Sequence, residues 1–439
     1  MHRRQFLAAA GASSVALTMG PHLQARAGRT YRTALLGSGW WGMNILREAI
    51  AAGQAKVVGL CDVDSRTLAT AADAVNDLTS DKPKSYEDFR ELLDKEKPEI
   101  VIVASPDHWH ALLTIAALKA GAHVFVEKPT GHTVNESRAM LRAARDADRV
   151  VQVGLHRRIG PHYVSGMKFL KDGGAGKIGM VRMFVHSGGG PERPTANSEP
   201  PKRLNWDLYC GPSNLRPFCT KIHPGGWRNF LDFGNGILGD WGTHWIDQVL
   251  WWTDEKFPKR VFSTGGRPVY GKPVLSEREQ TTDAPDSQVA VYEFDNFTAV
   301  WEHRRFADNN AEKHKVGCYF YGSKGTFHMG WRDGWTFYPA NSRDKTIHEP
   351  AQLQEPDGHS IKLLWADFLK AIESRTTPVA DIERAHRATT AVLLGMLSMK
   401  VGRSVAWDGQ KEQITGDAEA NALLSRAYRA PWKYPDISP

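Results

Sequence analysis

Cysteine is scarce in this 439-residue chain: there are four, Cys61, Cys210, Cys219 and Cys318. None is spaced as CxxC or as a zinc ligand set, so a redox dithiol and a cysteine zinc site are both excluded. Cys61 and Cys318 fall in apolar strand-like runs and are expected to be buried thiols. Cys210 and Cys219 could bridge in an oxidising compartment, an option the spacing leaves open. Beyond the leader no apolar run approaches the ~20 residues of a membrane span, so no stable membrane insertion is expected. Internal repeats and low-complexity tracts are absent too.

Acidic residues are missing from the first 27 positions, which hold only Arg3, Arg4 and Arg26 as charges. The stretch MHRRQFLAAAGASSVALTMGPHLQARA pairs a twin arginine with a mild apolar run and ends in Ala25-Arg26-Ala27. It reads as a twin-arginine signal over residues 1–27, implying a periplasmic or otherwise exported protein. Without it the formal net charge of +7 falls by three to +4. No basic cluster remains, and no nucleic-acid partner is expected.

From residue 30 to 156, short β-branched runs alternate with amphipathic helical stretches. The strand candidates are 31–37, 56–62, 99–105, 123–129 and 150–156. This alternation predicts a doubly wound parallel sheet, the Rossmann plan of an α/β fold. Residues 157–439 read differently, as an α+β domain with a large open antiparallel sheet. Its strands are expected at 177–187, 287–294, 297–304 and 315–322, with a hairpin turn at Asp295-Asn296. Residues 188–238, rich in glycine and proline, are long for a connector and suggest a substrate-side insertion. Ile361, Leu364, Trp365, Phe368, Leu369 and Ile372 mark the apolar face of a late helix.

Gly37, Gly39 and Gly42 form GxGxxG between the first strand and a helix. Glycines there allow a tight turn and let a dinucleotide pyrophosphate reach the helix N-terminus. Asp62 ends the next strand, 20 residues past Gly42, where a carboxylate accepts bonds from ribose hydroxyls. Its charge favours NAD, while nearby Arg66 leaves NADP open. Asp64 is the better candidate for the following helix cap.

Lys128, in Glu127-Lys128-Pro129, follows a parallel strand and should face the crevice. Alone it could equally be a surface lysine. The stretch GDWGTHWIDQVLWW places Asp240, His244 and Asp247 at spacings of four and three, on one helix face. A polar stripe of that kind is either a solvated face or part of a site.

These motifs occur in order: the glycine-rich loop, SPDHWH (105–110), VEKP, QVGLHRR (152–158) and GDWGTHWID. With the late stretch 402–424, that set resembles the Gfo/Idh/MocA family of NAD(P)-dependent sugar oxidoreductases. The resemblance implies hydride transfer at a hydroxyl of a sugar, sugar derivative or cyclitol. It places the family lysine on Lys128 and the family D-x-x-x-H pair on Asp240 and His244. His244 would be the general base, Asp240 its orienting carboxylate, and Lys128 the anchor of the reacting oxygen. The cofactor set it implies is Gly37, Gly39, Trp40, Gly42, Asp62, Ser105, His110 and Glu127. The substrate set is His156, Arg157, Tyr163 and Asp247, with at least one of Arg157 and Arg158 structural. His156 stands where many members carry Asn or an aromatic. Some relatives are glycosidases that oxidise a sugar transiently and return the hydride, and a non-catalytic sugar binder is a third reading. Trp40, Trp206 or Trp227 would offer faces to a sugar ring, whereas Trp251 and Trp252 should pack in the core. A homo-oligomer through the C-terminal sheet is expected. No metal site is expected, although Asp107, His108 and His110 cluster in sequence.

Overall fold

The computed structural model describes residues 29–254, 257–309, 311–353 and 355–436; the leader lies outside them. The first domain runs β1 (Tyr31–Leu36), α1 (Trp40–Ala51), β2 (Ala55–Cys61), α2 (Ser65–Leu78), β3 (Lys84–Tyr86) and α3 (Phe89–Glu96). It continues with β4 (Ile100–Val103), α4 (Asp107–Lys119), β5 (His123–Val126), α5 (Val134–Asp146) and β6 (Val151–Val153). The strands pair in parallel in the order β3-β2-β1-β4-β5-β6. The order reverses between β1 and β4, so their carboxyl ends open a crevice there. β1 and β4 are buried almost throughout, as strands covered by helices on both faces must be. β3 has no strand-like run in the sequence. It is three residues long and held by pairing to β2. Asp64 caps α2 through the backbone N–H groups of Arg66 and Thr67.

The second sheet has ten strands among the described residues. At its centre Ile178–His186 lies antiparallel to Val316–Gly322 but parallel to Thr298–Arg304. The sheet is therefore mixed at one pairing. That parallel pairing is possible because the long insertion 188–238 separates the two strands in sequence. Ser287–Glu293 and Thr298–Arg304 form the expected hairpin around Asp295 and Asn296. The inward residues of these strands alternate with outward ones. They pack on α6 (Pro161–Lys171), α8 (Thr243–Thr253) and α10 (Ile382–Val401), with Trp251 and Trp252 against that core.

The Rossmann core also takes in a helix from late in the chain. The face Ile361, Leu364, Trp365, Phe368, Leu369 and Ile372 of α9 (Pro356–Ser374) is buried in the first domain's core, where Trp365 meets Phe125 at 5.8 Å. Burying each such side chain contributes ~1.5–3 kcal/mol, so α9 belongs energetically to the Rossmann unit. The insertion builds a third small core from residues including Trp206, Tyr209, Phe218, Trp227 and Phe230, with the short helix α7 (Trp206–Cys210) at its start. All four cysteines are buried free thiols, so Cys210 and Cys219 are not bridged.

Candidate active site

One cleft of about 530 Å³ runs from the glycine turn to the second domain. At its first end Gly37 has φ +92°, and a Cβ there would stand 2.7 Å from the Ala104 carbonyl oxygen. A Cβ at Gly42 would be 2.1 Å from the Gly37 oxygen, so this position needs glycine for close helix–strand packing and not for ligand contact. Gly39 is the reverse case: a Cβ would meet nothing within 4 Å. Gly39 caps α1 without a side-chain bond, and the first turn holds no acid. Its free N–H groups and dipole are open to an anion from the cleft. The Asp62 carboxylate accepts from the Ser38 N–H at 2.8 Å and the Asp64 N–H at 2.9 Å. Burial pushes its pKa up to about 6. Asp62 lines the cleft and Arg66 does not.

Trp40, exposed at the mouth, and Ser105, His110 and Glu127 all line the cleft. His110 lies between two carbonyl oxygens, with Nδ1 2.7 Å from the Pro129 oxygen and Nε2 2.9 Å from the Ser105 oxygen. As a neutral ring it donates to one of the two, at the β4 or the β5 strand end. Burial holds its pKa down at about 4. Glu127 is buried, and that burial raises its carboxyl. The Lys128 backbone N–H donates to it at 3.2 Å.

Lys128 reaches across to the second domain. Its Nζ lies 2.5 Å from Asp240 Oδ1 and donates to the Asp240 carbonyl at 3.0 Å. Arg228 approaches the same carboxylate at 3.5 Å. Burial alone would raise the Asp240 carboxyl, but these two cations outweigh it and hold it below the ordinary range. Asp240 thus grips Lys128 and does not orient His244, a correction to the sequence expectation. Both residues line the cleft, but the Asp240 carboxylate is taken up by Lys128 and Arg228. His244 has its Nδ1 buried without a partner. Burial, then the charges of Arg157 and Lys128, hold its pKa well below the usual value. The ring is neutral at neutral pH.

His156 lies beside His244, with ring centroids 4.8 Å apart and the planes tilted by 54°, and its Nε2 is 2.7 Å from Asp357 Oδ1. Arg157 lines the same end. Asp247 and Tyr163, expected to touch substrate, do not line the cleft. Asp247 is buried under Arg158, whose Nε and Nη2 reach it at 2.9 and 2.7 Å. Tyr163 is buried and donates to the Trp331 carbonyl at 3.2 Å. Both are turned away because α8 and α6 present those faces to the second core.

Sequence reasoning missed Asp357 and Arg228. Asp357 is the acid of the first turn of α9, 201 positions from its partner His156, a signal indistinguishable from a helix-end acid. Arg228 belongs to the insertion, which does line the cleft, from His223 to Arg228. Trp206 is packed away, its indole N–H on the Arg216 carbonyl at 2.7 Å. Trp227 is mostly buried but lines the cleft, with Arg228 over its ring. Both His108 nitrogens face backbone carbonyl oxygens, of Phe233 and Tyr209. Among the described residues, the groupings that could hold an ion, His314–His328–Asp333 and His186–Glu302–Glu312, lie outside the cleft.

Three models of one family match successive parts of the chain. An oxidoreductase family model, NAD-binding Rossmann fold, matches residues 31–155. The family's C-terminal domain models match residues 167–328 and 344–434. The chain belongs to the Gfo/Idh/MocA family. Its first domain is the family's NAD-binding Rossmann fold, and the open N-terminus of α1 beside Gly39, with Asp62 beyond it, fits that dinucleotide. Within this family, the chain is 28% identical over 197 residues to a levoglucosan dehydrogenase of Pseudarthrobacter phenanthrenivorans, covering 43% of this chain and 44% of that protein. A glycosyl hydrolase family 109 protein of Stenotrophomonas maltophilia is 34% identical over 149 residues, covering 32% of this chain and 33% of that protein. The matches therefore span less than half the length of these curated relatives. A levoglucosan dehydrogenase structure in complex with NADH and levoglucosan shares the fold, with a TM-score of 0.66 and 20% identity over 86% of this chain and 99% of that one.

Proposed function

We propose that this protein is an NAD-dependent oxidoreductase acting on a hydroxyl of a sugar, sugar derivative or cyclitol. The observation that carries the reading is the convergence of the Lys128–Asp240 pair and a neutral His244 at one end of a cleft whose other end is built for a dinucleotide. NAD, when bound, supplies the hydride acceptor. Lys128 donates to the reacting oxygen, and Asp240, with its carboxylate and its carbonyl, fixes the ammonium in place. His244 is present in the form that accepts the hydroxyl proton. The His156–Asp357 pair borders the same space and orients hydroxyls. A purified enzyme supplied with NAD and a panel of sugars and cyclitols should gain absorbance at ~340 nm, a property of the reduced cofactor. Silence across the panel with NAD bound would overturn it.

Similarity to a glycosyl hydrolase over 149 residues supports a second reading, in which the same groups cleave a glycoside with no net redox change. Release of an aryl alcohol without accumulation of NADH separates the two. The leader supports export by the twin-arginine route, and Arg3-Arg4→Lys-Lys should then strand the precursor inside the cell. Met180, Phe262 and Val289 lie on the outer sheet face, each more than a third exposed. They support pairing with a second copy, which sedimentation showing only monomer would refute.

A further inference from the structure

Arg157 and Arg158 are neighbours in sequence with opposite fates. Arg158 has a carboxylate of its own, Asp247, at 2.7 Å. Arg157 is just as buried, at 2% exposure, yet among the described residues no carboxylate lies within 4.0 Å of it. Its Nε and Nη1 are buried with no acceptor. The guanidinium lies over the Trp245 ring at 4.0 Å, with Trp241 and Tyr163 at 5.7 and 5.9 Å. Those rings cover its faces and accept none of its in-plane N–H groups, which point outward along the edges.

The acids nearby are already engaged. Asp357 takes His156 and the Trp331 indole, and Asp240 takes Lys128 and Arg228. A buried cation left without an anion is costly, and structures keep one where a ligand completes it. Arg157 lines the cleft beside His156 and His244, at the end away from the glycine turn. The dinucleotide phosphates belong at the other end.

We infer that the substrate carries a carboxylate, as a sugar acid does, and that Arg157 receives it in a bidentate pair while His244 and Lys128 address the hydroxyl being oxidised. A carboxylate approaching either edge of the guanidinium engages Nη2 with Nε or with Nη1, satisfying a nitrogen that is otherwise orphaned. Arg157 is then the specificity-determining residue, and the inference rests on the oxidoreductase reading of the same cleft.

The test compares hexuronates with their parent hexoses, D-glucuronate with D-glucose and D-galacturonate with D-galactose. Binding is read by calorimetry on enzyme saturated with NADH, and turnover separately with NAD. The wild type should bind at least one hexuronate more tightly than its hexose by about 10–100-fold, the scale of a charge-assisted bidentate pair. In Arg157→Gln that ratio should collapse toward one, and Arg157→Lys, which keeps the charge but loses the fork, should recover only part of it. Because the wild-type ratio needs no variant to fold, a ratio near one in every pair overturns the inference. So does an Arg157→Gln enzyme that still binds NADH and keeps the wild-type ratio. Uronate binding that depends on Arg157 without hydride transfer would instead leave the inference standing and sink the oxidoreductase reading.

Discussion

At the residue scale the site is two units rather than one. Asp240 is coupled to Lys128 by an ion pair and a carbonyl bond, whereas His244 stands apart beside His156. Groups acting as a unit lose activity non-additively, and independent groups lose it multiplicatively. Lys128→Met and His244→Ala should each lower single-turnover hydride transfer by about 10²–10⁴-fold with NAD affinity nearly unchanged. Adding Asp240→Asn to Lys128→Met should cost little more. Adding it to His244→Ala should multiply the losses. If Asp240→Asn were instead silent on the His244→Ala background, an Asp240–His244 dyad would be the better description. Normal hydride transfer in a destabilised His244→Ala protein would make the histidine a core residue.

At the element scale, the turn before α1 separates two uses of glycine. Gly42 is packed against the Gly37 carbonyl, so Gly42→Ala overpacks the strand–helix contact and should cost ~1–3 kcal/mol of stability. Gly39 has φ −67°, which alanine adopts freely, and open space where the Cβ would go. Gly39→Ala should therefore melt like the wild type while binding NAD about tenfold or more weakly, ~1.4 kcal/mol. Thermal unfolding and fluorescence titration of both variants check this. Equal NAD affinity in Gly39→Ala would move the pyrophosphate away from α1. The turn Leu238–Gly242 and α8, which follows it, together place Asp240 against Lys128 and His244 beside His156.

Across the whole molecule, buried histidines dominate the acid response. Burial holds His108 and His328 at about 3, and His110, His162 and His303 at about 4. The unfolded chain protonates these rings near pH 6.5, and the folded chain does not. Their contribution to stability is therefore fully present above pH 6.5 and lost as pH falls toward 4, at ~1.4 kcal/mol per pH unit for each ring. Asp62 at about 6 and Asp107 at about 7 act oppositely, because burial makes the folded state hold their protons more tightly than the unfolded one. Buried rings shifted down outnumber buried carboxyls shifted up, so denaturant midpoints measured from pH 7 to pH 5 should fall, with net proton uptake on unfolding. A flat profile would mean that these rings are hydrated in solution.

Local pattern was enough for much of this protein. β-branched runs, helical periodicity and the spacing of Gly37, Gly39, Gly42 and Asp62 depend on neighbours within a few turns of chain. The Rossmann plan, the hairpin at Asp295, the Asp64 cap and the dinucleotide end of the cleft were therefore legible in the sequence. Lys128 and His244 were legible as members of an ordered motif set. What the sequence could not contain were pairings made across long separations. Asp240 meets Lys128 rather than His244, and Asp247 is spent on Arg158. Asp357 arrives on α9 to hold His156, and α9 itself completes a core begun more than 200 residues earlier. Each of these depends on which face of one packed element turns toward another. Side-chain spacing along a helix says which residues share a face, and only tertiary packing decides what that face meets.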